Sequence, residues 1–369
     1  MALAACGGDS SRPRLFSTDW FDNRPASMTE VVERLRNARP LPSVDLAVGV
    51  AGPKSNKLVG VRLTGHSTWT FEHALDARPT IAGGVVVASG GGEVFALDAL
   101  GGRRLWARPT GGAPFLGAGD DGIGTAITLA RGMGSTMLVV ARDGSVKRQM
   151  ETDQQLGSPA VVSGVIFVPW KSEKVSAIDE STGDEIGRVT LQGKVTRAFT
   201  IGKDIYFGGE RLIRFDDNID LASNHGESQI ALPPGDWLGV PRLVASGTER
   251  LPPSATTRDK IRIFARPSDI AGSLGFDSSR FYASDASDFR RVSGFDASSG
   301  RREWEHIHAS DIVGGEAITG GVLICDETGK MTVLDAQAGQ VVFERSFGEP
   351  IKSCIVHADT FHAPTDAVR

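Results

Sequence analysis

From about residue 43 onward the chain alternates short apolar runs with clusters of Gly, Asp, Asn, Ser and Pro. Runs such as VVVAS at 85–89 and VIFVP at 165–169 are each closed by a turn-forming group. Short apolar runs bounded in this way predict strands and hairpins, not helices. Helical periodicity is clear only near the start. There Ser27-Met28-Thr29-Glu30 has capping-box spacing, and VVERLRNA follows it. This predicts a short helix from about Met28 to Asn37, ended by the Pro40 and Pro42 region.

The strand pattern repeats. VFALDALGGRRLW places Asp98, Gly102 and Trp106 four residues apart, and VSGFDASSGRREW places Asp296, Gly300 and Trp304 at the same offsets. MTVLDAQAGQVVF does so with Asp335, Gly339 and Phe343, and VSAIDESTGDEIG with Asp179, Gly183 and Gly187 at the aromatic position. A degenerate copy, LVGVRLTGHSTW, keeps Gly65 and Trp69, and weaker copies surround Asp143 and Asp216. Each hairpin follows a second phrase of the form strand, small turn, strand: RPTIAGGVVVAS, GSPAVVSGVIFVPW, TRAFTIGKDIYFGG, GSLGFDSSRFYASD and GEAITGGVLICD. The repeating unit is therefore four strands.

Counting units sets the architecture. The Asp-equivalent positions are 61, 98, about 140, 179, 216, 296 and 335, with one step of 80 residues, twice the usual spacing. A weak unit near 240–266, VPRLVAS followed by DKIRIF, fills the gap and makes eight. The first unit lacks its leading strand, and PIKSCIVHADTFHA after the last hairpin supplies one. Pairing the two closes a ring and removes two exposed sheet edges. The expected fold is all-β: an eight-bladed β-propeller of four-stranded antiparallel blades, with seven blades as the alternative, closed by the C-terminal strand. Its expected segments are a lipobox and tether at 1–26, helix and linker at 27–42, the propeller at 43–364 and a polar tail at 365–369.

Within such a unit the recurring residues have structural roles. Asp bonds turn amides, Gly takes the positive φ of the hairpin, and the aromatic docks between neighbouring blades. Glycine-rich turns also account for 45 glycines in 369 residues. A net charge of −5 gives no general electrostatic case for nucleic acid. Leu3-Ala4-Ala5-Cys6 has the form of a lipobox followed by a polar tether, which makes Cys6 the expected site of lipid attachment. Cys325 and Cys354 allow a single pairing but are read here as small buried hydrophobes.

These phrases resemble the tryptophan-docking repeats of the quinoprotein, or PQQ-like, β-propeller superfamily, over about Val44 to Pro364. The resemblance implies the propeller fold and says less about activity, because the superfamily holds both enzymes and scaffolds. Its dehydrogenases use a quinone cofactor, calcium, a catalytic Asp and often adjacent cysteines. This chain has no Cys-Cys pair and spends its Asp residues on turns, so no cofactor and no catalytic residue is expected. In size, repeat type and lipobox it resembles the BamB-type lipoproteins of the outer-membrane β-barrel assembly machinery.

Other motifs change little. Gly117 to Gly122 matches G-x-G-x-x-G, but no helix pattern follows and Asp120 and Asp121 would repel a pyrophosphate. Asp216, Asn218, Asp220 and Glu227 fall at positions 1, 3, 5 and 12 of a calcium loop. Leu221 stands where that loop needs Gly, so a solvated acidic turn is the better reading. His306 and His308 are read as exposed edge-strand residues. Trp170 and Lys171 could line a funnel mouth.

The expected function is a non-enzymatic, monomeric scaffold, lipid-anchored on the periplasmic side of the bacterial outer membrane. It would contact envelope proteins, the β-barrel assembly machinery among them. Trp237 and Leu238, with the inserted loop from Leu251 to Thr257, are the contact candidates. The alternative is a ligand- or cofactor-binding propeller of the quinoprotein oxidoreductase type, acting at its central funnel.

Overall fold

The computed structural model describes residues 14–15, 29–39, 44–65, 67–190, 194–201, 204–209, 212–215, 227–230, 261–263, 280–285, 288–296, 301–318 and 320–357. Strand β1 (Arg14–Leu15) and helix α1 (Thr29–Arg36) precede the repeats. The first unit supplies β2 (Leu46–Ala51), β3 (Lys57–Arg62) and β4 (Thr68–Glu72). The second is β5 (Thr80–Ala82), β6 (Val85–Gly90), β7 (Glu93–Asp98) and β8 (Arg104–Pro109). The third is β9 (Phe115–Asp120), β10 (Gly124–Arg131), β11 (Gly134–Ala141) and β12 (Val146–Thr152). The fourth is β13 (Ala160–Val162), β14 (Val165–Pro169), β15 (Lys174–Asp179) and β16 (Glu185–Thr190).

The fifth unit is β17 (Val195–Ile201), β18 (Asp204–Gly209), β19 (Leu212–Phe215) and β20 (Glu227–Ile230). The sixth is β21 (Ile261–Ile263), β22 (Arg280–Asp285), β23 (Arg291–Asp296) and β24 (Arg302–Ile307). The seventh is β25 (Ile312–Ile318), β26 (Gly321–Asp326), β27 (Lys330–Asp335) and β28 (Val341–Ser346), and β29 (Ile351–His357) follows it.

Within each unit consecutive strands pair antiparallel. Strand β29 pairs antiparallel with β2, Gly49 opposite Cys354, and so stands as the leading strand of the first unit. It also meets β25 in parallel at Gly314, joining the seventh and first units in one eight-stranded sheet. The described residues thus form seven units. DKIRIF, read from the sequence as part of a separate unit, instead contributes β21, the first strand of the sixth. Its companion VPRLVAS lies outside the described residues.

The leading strands lie side by side, β29 against β5, β5 against β9, β9 against β13 and β13 against β17. Glycine permits that approach. A Cβ on Gly119 would come 2.8 Å from the Ala160 Cα, and one on Gly314 would come 2.5 Å from the Cys354 carbonyl oxygen.

The wedge between neighbouring sheets is filled from the outer strand of each unit. Trp69 on β4 lies against Gly102 of the next hairpin, where a Cβ would meet its ring at 2.6 Å, and its Nε1 donates to Ala99 O at 2.9 Å. Trp304 repeats the arrangement against Gly339, donating to Ala336 O at 2.7 Å. Gly102 and Gly339 have φ of 67° and 66°, so both the turn and the docked ring require glycine. Trp106 also lies against a hairpin glycine, but Gly144 meets the Trp106 Cβ and not the face of its ring. The receiving hairpin there closes from Gly144 N to Ala141 O, one residue shorter than the Gly102 to Asp98 closure. Its carbonyls are displaced, and the Trp106 Nε1 finds no acceptor. The Asp of each hairpin bonds turn amides: Asp98 accepts from Gly101 N, Asp179 from Ser181 N and Thr182 N, and Asp335 from Gln337 N and Ala338 N.

Cys325 on β26 and Cys354 on β29 form a disulfide. The reading of both as free buried hydrophobes is corrected. They are buried, in the cluster that also holds Val61, Leu323 and Val356, but bonded to each other. Sequence spacing could not show this, since 29 residues along the chain become neighbours only when β29 crosses to the first unit.

These contacts set the cost of removing them. Trp106→Ala is expected to lower unfolding free energy by about 3–5 kcal/mol in a denaturant titration. Trp69→Phe should cost about 1 kcal/mol more than Trp106→Phe, because only Trp69 gives up a hydrogen bond. Reducing the disulfide, or making Cys325→Ser, should cost about 3–4 kcal/mol from the loop it closes. An unchanged melting temperature under reductant would contradict that value.

Candidate functional site

In the second, third, fourth, sixth and seventh units, a register shift between the third and fourth strands marks the docking position. The shift follows Ala96 opposite Trp106, Gly294 opposite Trp304 and Val333 opposite Phe343. In the third unit it follows Val139, whose partner is Arg148. In the fourth it follows Ala177, whose partner is Gly187. Two of these five positions therefore lack the aromatic, and each seam is built differently.

At the fourth unit, helix α1 takes its place. It contacts β16, and its Val31, Val32 and Leu35 share a cluster with Ala177 and Val189 of the fourth unit and Val195, Ile205 and Phe207 of the fifth. Aliphatic volume from outside the repeats replaces a missing side chain at Gly187.

At the third unit, Arg148 stands in for the tryptophan. It is buried, and its Nε donates to Glu180 O at 2.9 Å. Glu180 follows the hairpin Asp179 just as Ala99 follows Asp98, so the guanidinium reproduces the indole's bond. Nη2 adds a bond to Ser181 O. A guanidinium is thinner than an indole, and beside it a cleft of about 480 Å³ opens between the third and fourth units. Arg34, Ile123, Val146, Lys147, Arg148 and Glu180 are among the residues that line it. Strand β1 runs parallel to β12 at its edge, Arg14 opposite Arg148.

The charges around the cleft are unequally satisfied. Arg34 reaches from α1 to Asp179 Oδ2 at 2.5 Å. Burial works against ionisation of Asp179, but the bonds from Ser181, Thr182 and Arg34 outweigh it and hold the carboxyl at about 2. Asp121 is held by the amides of Ile123 and Gly164. Asp120 pairs with Arg142 at 2.7 Å and accepts from Thr125 and Gly122, yet burial still raises it to about 6. Glu180 differs from all of these. The residue is 9% exposed, lines the cleft, and its carboxylate, open to the cleft, receives no hydrogen bond among the described residues. A Cβ on Gly124 would come 2.3 Å from its Oε1, so the glycine makes room for the carboxylate. Burial, then the charges of Asp121, Asp120 and Asp179, push Glu180 up to about 6 against the opposing pull of Lys147.

The residues singled out from the sequence fall elsewhere. Asp98, Gly102, Trp106, Asp179, Gly183, Asp335, Gly339, Gly65 and Trp69 belong to hairpins or seams, with Asp296 and Trp304 in the sixth unit. Phe343 packs in the cluster at the seam of the seventh and first units. Trp170 is a core residue donating to Ser176 Oγ at 2.8 Å and is not a funnel lining; Lys171 beside it is half-buried at positive φ. His308 is not an exposed edge residue, as the sequence suggested. It is buried and bonded to Asp326 Oδ2 at 3.0 Å, because the chain turns inward after β24. Cys6, Gly300, Asp216, Asn218, Asp220, Trp237, Leu238 and Leu251 lie outside the described residues, and of Glu227 only its place in β20 is described. Arg148 and Glu180 were missed. The signal was the fault in the repeat itself, a basic residue where four copies carry aromatics.

Cys325 and Cys354 are bonded between β26 and β29, and Asp98, Asp179 and Asp335 accept from turn amides. Among the described residues no group of three His, Cys, Asp or Glu could hold a metal.

Comparison with known proteins fits this architecture. Residues 54–198 match a family model described as "Outer membrane protein assembly factor BamB". Among solved structures, BamB from Moraxella catarrhalis is 16% identical with a TM-score of 0.44, covering 84% of this chain and 87% of that one. The β-propeller domain of Cps50 (Swd1) from Myceliophteria thermophila is 11% identical with a TM-score of 0.51, covering 80% and 96%. The dihydro-heme d1 dehydrogenase NirN is 12% identical with a TM-score of 0.48, covering 85% and 69%. No curated protein sequence matches the chain.

The unequal charges predict a pH signature. Glu180 binds its proton more tightly folded than unfolded, so its ionisation costs stability as pH rises from 4.5 through about 6. Glu180→Gln should therefore stabilise the protein near neutrality by about 1 kcal/mol, a figure discounted for water in the cleft, and have little effect below about pH 4.5. Asp179 acts oppositely: its stabilisation is complete above about 4 and lost as pH falls through 2. Urea titrations of wild type and variant across this range check both signs.

Proposed function

We propose that this PQQ-like β-propeller, which resembles the outer-membrane protein assembly factor BamB, is a non-enzymatic scaffold of the bacterial envelope. It serves in outer-membrane β-barrel assembly, tethered to the membrane by lipid on Cys6. The observation that carries the reading is the family match over residues 54–198, which spans β3 and β4 of the first unit, the second to fourth units and the start of β17. Two features support it. The Cys325–Cys354 disulfide suits an oxidising compartment such as the periplasm. The LAAC sequence followed by a polar tether suits a lipid anchor.

The ring closes through the pairing of β29 with β2. Such a body offers loops and seams at fixed spacing, a rigid surface for docking. Affinity capture of the lipid-bearing chain from envelope membranes tests the role. Assembly-machinery subunits are expected to co-purify, and their absence under cross-linking would remove it.

A further inference from the structure

We propose that the cleft between the third and fourth units is a receptor for one cationic side chain, an arginine or lysine presented by a partner protein. Glu180 is its counter-ion, and Ile123 and Val146 flank its aliphatic stem. The inference deepens the scaffold reading and rests on it.

The cleft exists because Arg148 replaces a docking tryptophan, supplying the seam hydrogen bond without the indole's bulk. Into that space faces the carboxylate of Glu180, a residue only 9% exposed; it takes no hydrogen bond among the described residues and its oxygens open to the cleft, whereas Asp120, Asp121 and Asp179 are each bonded. A half-desolvated charge held without a partner costs stability, and a guanidinium or ammonium entering the cleft would offset that cost on binding.

The surroundings select for a cation. Asp120 and Asp121, in the turn between β9 and β10, and Asp179 all add negative potential at Glu180. Arg34 from α1 is engaged by Asp179 and Glu30, Arg142 by Asp120, and Arg148 by the Glu180 and Ser181 carbonyls. Among the described residues, Lys147 on β12 is the remaining cation facing Glu180, and it is exposed and without an ion pair there. Ile123 is 64% exposed at the rim, an apolar wall suited to the methylenes of a long cationic side chain. An anionic ligand would meet Glu180 directly. A neutral apolar one would leave the carboxylate buried without a donor.

The test is a chemical-shift titration of the full chain with acetyl-Ala-Arg-Ala-amide, its citrulline counterpart and its glutamate counterpart. At a pH of about 7.5 the arginine peptide should shift the amides of Ile123, Val146 and Glu180, and the other two should bind at least about tenfold more weakly. Glu180→Gln should weaken the arginine peptide by about tenfold with the rest of the spectrum unchanged, and Glu180→Asp should restore part of the loss. Lys147→Ala, an exposed change with no bearing on folding, should tighten binding about two- to fivefold. Wild-type binding should also fade as pH falls below about 6, an effect absent from Glu180→Gln, which separates Glu180 from Asp120. Equal binding of the citrulline peptide, or an unaltered affinity in Glu180→Gln, would overturn the proposal. Failure of affinity capture with peptide binding intact would remove the assembly role and leave the receptor standing.

Discussion

The structure depends on filling the wedge between neighbouring twisted sheets. Leading strands can meet almost backbone to backbone, as Gly119 and Gly314 show, but twist carries the outer strands apart. A side chain from each outer strand must span the gap and satisfy the hairpin beyond it. Trp69 and Trp304 do both with one ring, contributing apolar volume and an indole hydrogen bond. Trp106 fills the volume and leaves its N–H unbonded, because a hairpin one residue shorter has moved the acceptor. Arg148 makes the bond without the volume, and α1 supplies volume from outside the sheet. A single mechanical requirement thus accounts for the conserved geometry of some seams and the departures at others.

The fold was legible because that requirement is written in residues close in sequence. Asp98, Gly102 and Trp106 act within one hairpin and its neighbour, and four strands per unit follow from strand-turn rhythm. Assignment of the individual copies was harder. DKIRIF carries a strand pattern that serves the sixth unit, not a unit of its own, because the sequence does not show which sheet a short strand joins. The disulfide and the buried His308–Asp326 pair were illegible for a related reason: both depend on contacts formed only once distant strands are adjacent.

The candidate site lies where the repeat departs from its own pattern. The copy around Asp143 agrees poorly with the others. Its poor agreement is the informative part. An arginine at the docking position changes the seam from a closed apolar contact to an open polar one, and Glu180 keeps an unbonded carboxylate there. Residues that hold a repeat together recur, whereas residues that recognise something else need occur once.

The pairing of β29 with β2 has a consequence in time as well as space. The first unit cannot be completed by residues made early, since its leading strand, β29, is the last strand among the described residues. Until that strand arrives, β2 presents an open edge, and Cys325 lacks its partner Cys354. Oxidation therefore records the arrival of β29. A chain cut short before β29 would keep Cys325 reduced and β2 open at one edge, which any protease or chaperone scanning for free edges could distinguish from the paired state.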